Sequence, residues 1–147
     1  MKMKNAWDDS ESKFQVSLQN HLEKWGLKEY SNEADYYAWQ KRSLSVEQIK
    51  CLNVLSEKRK GGVDEESDLA FYDLVASSDI LQILYSQQYG YYETVGKAIA
   101  SQLDSQCEIL DFGCGVGILT TWYASQFPYI RFTGLDRSLK SIQMASK

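Results

Sequence analysis

The sequence predicts an α/β fold in which a βαβ unit with flanking helices, residues 89–147, follows a helical region, residues 1–88. Two observations predict this division. Apolar residues recur at helical spacing through the first region. The second region contains two short β-rich runs separated by a glycine loop and a helical segment. Short connections of this kind are typical of parallel strands joined through a helix.

The bulk composition is that of an ordinary globular protein, with 147 residues, 44% hydrophobic and 24% charged. The net charge of −4 argues against a large nucleic-acid-binding face, which needs concentrated positive charge. The basic cluster at residues 58–60 is expected to be a solvated helix C-terminus. Neither a signal peptide nor an apolar run of membrane-spanning length is recognisable. We therefore expect a cytoplasmic protein without membrane contact.

The residues that usually bind metals are few and poorly spaced for the purpose. The three cysteines, Cys51, Cys107 and Cys114, lack metal-ligand spacing, and their odd number does not indicate a disulfide framework. His21 is the single histidine. No metal site is predicted, and the sequence assigns neither catalytic residues nor an oligomeric state.

The helical region contains five predicted segments. In the first, apolar residues at helical spacing precede a glycine stop: Phe14, Leu18, Leu22, Trp25 and Gly26. A short aromatic segment, residues 36–39, follows. Ser45 and Gln48 form a capping box at the start of a third helix, which runs to the glycines after the basic cluster. Residues 64–77 carry another apolar face, and Asp79 is expected to cap a final turn.

The second region alternates helices and strands. Its predicted elements are helix 92–103, strand 107–112, helix 116–127, strand 130–135 and a last helix capped by Ser138. The apolar sequence of the first strand suits a buried parallel strand. Pro128 ends the helix between the strands. The last helix is expected to run through Leu139, Ile142 and Met144.

A glycine loop joins the first strand to the next helix. Asp111 lies near the end of the strand, and glycines then occupy the alternate positions 113, 115 and 117. Such glycines permit positive φ angles and let a ligand approach the main chain. The dinucleotide fingerprint G-x-G-x-x-G does not fit, because its third glycine falls on Ile118 or Thr120.

A second acid, Asp136, ends the second strand. Adjacent parallel strands place both acids at the same edge of the sheet, where open α/β sheets bind ligands. A carboxylate there can accept hydrogen bonds from both hydroxyls of a ribose, whereas a 2′-phosphate would be repelled. Ligands such as S-adenosylmethionine or NAD suit this arrangement, and NADP does not.

The stretch DFGCGVG resembles the first motif of class I S-adenosylmethionine-dependent methyltransferases, and FTGLDRS resembles the second acidic strand end of that family. The resemblance covers residues 90–147. It implies that S-adenosylmethionine is the cofactor, that the glycine loop surrounds its methionine and ribose parts, and that Asp136 holds the ribose hydroxyls. The residues assigned in this way to the cofactor site are Asp111, Phe112, Gly113, Cys114, Gly115, Gly117, Asp136 and Arg137.

The neighbouring side chains have less specific roles. Cys114 is interpreted as a small residue in a tight turn rather than a nucleophile. Four tyrosines precede or begin the leading helix, and they either line the site or pack in the core: Tyr85, Tyr89, Tyr91 and Tyr92.

The resemblance also implies an incomplete Rossmann-like methyltransferase core. The family's sheet usually has seven strands, of which two are recognisable. We therefore expect a fragment of a longer enzyme whose catalytic residues lie beyond Lys147. The expected function is methyl transfer from S-adenosylmethionine to a small-molecule or protein acceptor. Two alternatives stay open: an NAD-binding oxidoreductase fragment, and a non-catalytic helical interaction protein with a degenerate nucleotide-binding fold.

Overall fold

The structure, a computed structural model, describes residues 11–30, 32–62, 64–77, 80–85, 89–102 and 107–146. These residues form a mostly helical fold with a two-stranded parallel sheet. The elements are α1 (Glu11–Glu23), α2 (Glu33–Ser43), α3 (Val46–Lys60), α4 (Glu65–Val75), α5 (Gln82–Tyr85), α6 (Tyr89–Gln102), β1 (Glu108–Phe112), α7 (Ile118–Gln126), β2 (Arg131–Leu135) and α8 (Leu139–Ala145). The predicted cap at Asp79 lies outside the described residues.

The helix boundaries follow local sequence signals. The predicted capping box of α3 is confirmed: Gln48 N donates to Ser45 Oγ at 3.1 Å, and Ser45 N donates to Gln48 Oε1 at 2.8 Å. Ser138 is confirmed as the cap of α8, since its Oγ accepts from Ser141 N at 3.0 Å. Gly26 follows the end of α1 with a φ of 72°, a left-handed conformation that glycine tolerates best.

The third and fourth helices pack together over a small apolar core. Its buried residues are Leu44, Leu52, Leu55, Phe71, Val75 and Ile80. Arg59, from the basic cluster, lies over this core: its guanidinium is 4.3 Å from the centroid of the Phe71 ring, and its Nε is 3.0 Å from Asp68 Oδ1. The prediction that the whole cluster is solvated is therefore wrong for Arg59, because an acid and an aromatic ring on α4 hold it.

A larger core crosses the predicted boundary at residue 88. It combines buried residues from before that boundary with others from α6, the glycine loop, α7 and the residue that follows α7: Leu18, Leu22, Leu27, Ala76, Leu81, Tyr85, Tyr92, Val116, Ile118, Trp122, Tyr123 and Phe127. α1 packs directly on α7, where Trp122 Nε1 donates to Ser17 Oγ at 3.4 Å. Whether residues 1–88 and 89–147 are separate domains stays a prediction.

The sheet is covered on one face. Strands β1 and β2 are parallel and in register, with Asp111 opposite Gly134 and Phe112 opposite Leu135. Burial alternates along β1, and the outer face exposes 59% of Leu110 and 83% of Phe112. The prediction of a buried strand is wrong for this face, because α7 packs against the other side. Leu139 in α8 is also exposed, and the buried residue of that helix is Ser141.

Within the described ranges, no helix has the length and apolar character needed to cross a membrane. The same part of the chain contains no group of three or more histidine, cysteine or acidic side chains arranged to hold a metal ion.

The contact between α1 and α7 predicts a pH dependence of stability. His21 Nε2 lies 2.8 Å from the Ile118 carbonyl oxygen. Burial lowers the pKa of His21 below its usual 6.5, against the opposing effect of this hydrogen bond. The unfolded chain therefore binds more protons than the folded chain, and the free energy of unfolding falls as the pH falls below about 6.5.

This dependence is measurable by urea unfolding at about pH 7.5 and about pH 5.5. We expect His21→Gln to show a smaller loss of stability between these pH values than the unchanged chain, because glutamine does not titrate. An equal loss in both proteins would contradict the assignment to His21.

Candidate functional site

The candidate site lies at the carboxyl end of the two strands, where the glycine loop crosses from β1 to α7. The loop bends back onto the end of β2: the Leu135 carbonyl oxygen accepts from Gly113 N at 2.7 Å and from Cys114 N at 3.1 Å. This contact fixes the loop beside the residue that follows β2, which is Asp136. The site therefore combines the two segments that the sequence predicts to lie together.

The alternate glycines are required by the backbone of the loop. Gly113, Gly115 and Gly117 have φ angles of 86°, 56° and 74°, all in the left-handed region. A Cβ at Gly113 or Gly115 would meet no atom within 4 Å, so open space borders the main chain at both positions. The loop thus has the conformation and the free surface that a ligand needs to approach the backbone.

The Asp136 carboxylate joins the loop to the turn before α8. Its Oδ2 accepts from Gly115 N at 2.7 Å, and its Oδ1 accepts from Ser138 N at 2.7 Å. An ionised carboxylate offers about four acceptor positions, so about two are left for a ligand. Asp136 is half-buried at the edge of the site.

The first acid, Asp111, has a partner that sequence reasoning missed. Thr120 Oγ1 donates to Asp111 Oδ2 at 2.5 Å, and Thr120 is buried in the first turn of α7. In the sequence, Thr120 stood out only because a dinucleotide loop could have glycine at its position. The partnership could have been predicted from the hydroxyl group in the first turn of α7, because that turn lies next to the end of β1.

Two of the predicted site residues point away from the loop or have other partners. Phe112 lies on the exposed outer face of the sheet, opposite the face that α7 covers. Arg137 forms an ion pair with Asp68, the α4 acid that also holds Arg59. Their contribution to a cofactor site stays a prediction.

Cys114 packs inside the loop. A Cβ built on Gly134 would lie 2.8 Å from Cys114 Sγ and 3.0 Å from Cys114 Cβ, so the cysteine occupies the space that a side chain on β2 would need. Burial raises the pKa of the Cys114 thiol, and the nearby charges of Asp111 and Asp136 raise it further. Since the thiolate is the nucleophile, these surroundings favour a packing role.

This close contact gives a test of the loop's packing. We expect Gly134→Ala to lower the free energy of unfolding by about 1–3 kcal/mol, the usual cost of overpacking. Cys114→Gly in the same chain removes both close atoms, and the double variant should show a smaller effect of Gly134→Ala than the parent chain does. Additive losses in urea unfolding would contradict the contact.

The tyrosines near the site divide between core and surface. Tyr123 Oη donates to the Tyr92 carbonyl oxygen at 2.8 Å, and Tyr92 Oη donates to the Leu84 carbonyl oxygen at 3.3 Å. Tyr85 is buried with its ring centroid 6.0 Å from that of Tyr92, and burial raises the pKa of its hydroxyl. Tyr91 is exposed. The side chain of Tyr89 lies outside the described residues.

The described part of residues 89–147 is thus a parallel α/β unit with a glycine loop and two acids at one edge. Residues 92–147 match the family model described as "Methyltransferase small domain". This match supports a class I methyltransferase-like region over residues 92–147, and it suggests methyl transfer as the general activity. No curated protein and no solved structure matches the chain significantly.

Proposed function

We propose that the glycine loop and Asp136 bind S-adenosylmethionine and that the chain takes part in transferring its methyl group to a small-molecule or protein acceptor. The observation that carries the proposal is the 2.7 Å hydrogen bond from Gly115 N to Asp136 Oδ2, which brings the loop and the second acid together. The family match of residues 92–147 supports the methyltransferase class. That the chain is part of a longer enzyme stays a prediction.

The residues present fit this cofactor. Open space borders Gly113 and Gly115, where a side chain would otherwise stand between ligand and backbone. Asp136 has about two acceptor positions left after its bonds to Gly115 and Ser138, enough for the two hydroxyls of a ribose. Asp111, held by Thr120, adds a second acceptor at the same edge.

The chemistry assigned to the chain is positioning. When bound, S-adenosylmethionine would supply an electrophilic methyl group: an acceptor atom would form a bond to the methyl carbon as the carbon–sulfur bond breaks, and S-adenosylhomocysteine would leave as the neutral thioether. The glycine loop and Asp136 would fix the donor at the sheet edge, and holding two reactants in line is itself a large contribution to rate. No described side chain is assigned as a general base.

The surroundings of α7 favour this cofactor over NAD. In a dinucleotide loop, the third glycine allows close packing of helix against strand. Here the two positions where it could fall are occupied by buried side chains: Ile118 is in the core, and Thr120 is bonded to Asp111. The comparisons give no support to an oxidoreductase or to a non-catalytic interaction protein.

Isothermal titration calorimetry of the full chain with S-adenosylmethionine, S-adenosylhomocysteine, NAD and NADP tests the proposal. We expect the first two to bind and the dinucleotides not to. Binding of NAD with none of the sulfur-containing ligands would overturn the proposal.

A matched pair of glycine variants makes the test specific to the loop. Gly115 and Gly26 both have positive φ, at 56° and 72°, and neither has an atom within 4 Å of a built Cβ. Alanine should therefore strain both backbones to a similar degree. Only Gly115→Ala should weaken the binding of S-adenosylhomocysteine. An equal effect of Gly26→Ala would mean that the loss reflects stability alone.

A further inference from the structure

The helical region reaches the candidate site through α4. Asp73 Oδ1 accepts from Ser138 Oγ at 2.5 Å, across 65 positions of sequence. Earlier in α4, Asp68 forms an ion pair with Arg137. Two consecutive residues of the turn after β2 are thus held by side chains of a helix that lies outside the family match.

Ser138 connects three elements. Its side chain donates to Asp73 on α4 and accepts from Ser141 N in α8, while its own N–H donates to Asp136 Oδ1 at 2.7 Å. Ser138 has an exposed fraction of 0%, so water cannot replace a lost partner at its surface. Its hydroxyl hydrogen is directed to Asp73, because the oxygen must present a lone pair to Ser141.

The connection continues without a break into the glycine loop. Asp136 accepts from Ser138 N through Oδ1 and from Gly115 N through Oδ2. A displacement of Ser138 therefore changes the orientation of the carboxylate, and the carboxylate in turn holds the loop. The path runs from Asp73 through Ser138 and Asp136 to Gly115.

We propose that Asp73 is a positioning residue of the cofactor site and orients the Asp136 carboxylate through Ser138. The helical region thereby contributes to that site. The inference rests on the proposed binding of S-adenosylmethionine at Asp136. It assigns a role in binding to a residue that no sequence motif marks.

Removing Asp73 should loosen the turn without releasing it. The Ser138 hydroxyl would lose its acceptor in a buried position, which favours a shift of the turn. The ion pair between Asp68 and Arg137 would still tie the same turn to α4. We therefore expect Asp73→Ala to weaken the binding of S-adenosylhomocysteine by about tenfold, as expected for a misplaced but intact acceptor.

Two matched variants distinguish the loss of the hydrogen-bond acceptor for Ser138 from the loss of a negative charge on α4. Asp73→Asn keeps an oxygen that can accept from Ser138, so its dissociation constant should stay within about threefold of the parent value. Glu66→Ala removes one negative charge from an exposed position on the same helix and should leave binding unchanged. Circular dichroism and urea unfolding of each variant verify that it is folded under the titration conditions.

Calorimetry with the full chain gives the first readout. Binding by the parent chain with a tenfold loss in Asp73→Ala supports the inference. Binding by the parent chain with no loss in Asp73→Ala overturns the inference alone. Failure of the parent chain to bind S-adenosylmethionine or S-adenosylhomocysteine overturns the proposed function, and the positioning role with it.

A double-variant cycle gives a readout that a general loss of stability would not produce. If Asp73 acts through Asp136, then Asp73→Ala should have little further effect on binding in a chain that already carries Asp136→Ala. Additive losses would overturn the proposal. Amide hydrogen exchange of the ligand-free chain adds an independent check, since Asp73→Ala should accelerate exchange at Ser138 and Gly115 more than in α3.

Discussion

Replacement of Asp136 by alanine is expected to weaken the binding of S-adenosylmethionine by at least about 100-fold. Under the proposed function, the variant loses two hydrogen bonds from ribose hydroxyls to a charged acceptor, each contributing about 1.5–3 kcal/mol. Their sum of at least ~3 kcal/mol corresponds to about 100-fold in the dissociation constant. The loop also loses the acceptor of Gly115 N, which adds to the effect.

Two further variants make this expectation specific. Asp136→Asn retains one acceptor oxygen and should bind with intermediate affinity. Glu108→Ala removes an exposed acid from the opposite end of β1, where it pairs with Arg131, and should leave affinity unchanged. Calorimetry gives the dissociation constant of S-adenosylmethionine for each of the three variants, after circular dichroism has shown that each variant is folded. Equal losses in Asp136→Ala and Glu108→Ala would refute the role of Asp136.

The stability of the Asp136 variant is a separate quantity. Without the carboxylate, Gly115 N and Ser138 N lose their acceptor, the first in a half-buried residue and the second in a fully buried one. We expect the free energy of unfolding to fall by about 1–3 kcal/mol. Binding must therefore be measured well below the unfolding transition of each variant.

The features that sequence reasoning predicted are those set by neighbouring residues. The capping box at Ser45, the Ser138 cap and the left-handed glycines of the loop each depend on contacts or conformations within a few residues. The parallel pairing of β1 and β2 follows from the short crossover through α7. Such features are readable because the physical cause lies in the same stretch of sequence as the effect.

The features that escaped prediction depend on contacts between distant segments. The partnership of Asp73 with Ser138 spans 65 positions, and nothing in either segment marks it. The exposure of Leu110 and Leu139 has a similar origin, since an apolar side chain is buried only where another element covers it. Thr120 lies between these cases, because its bond to Asp111 spans nine positions and follows from the return of the helix to the strand.

The shared core changes the interpretation of the helical region. The sequence suggested a helical region separate from the methyltransferase-like part, yet α1 contributes Leu18 and Leu22 to the same core as Ile118 and Trp122. Together with the α4 contacts to Ser138, this packing means that the first helices support both the loop helix and the turn after β2. A substitution that destabilises the helices before residue 88 should therefore also destabilise the elements after it, and the reverse should hold.

Trp122 gives the strongest test of this coupling. It is 1% exposed, lies against Tyr123 in α7 with ring centroids 4.9 Å apart, and donates through Nε1 to Ser17 on α1. We expect Trp122→Ala to lower the free energy of unfolding by about 3–5 kcal/mol, since a buried indole leaves a large cavity. Trp122→Phe should cost less, and Tyr129→Ala, at an exposed aromatic, should have almost no effect.

The test depends on the number of unfolding transitions as well as on the free energy of unfolding. Most of the described helical residues belong to α1, α2, α3 and α4, so an independent helical region would keep most of its circular dichroism signal in Trp122→Ala. Because one core joins α1 to α7, we expect the helical signal to be lost in a single transition that the variant shifts as a whole. Two transitions, with the larger helical one unmoved by Trp122→Ala, would show that the regions fold separately.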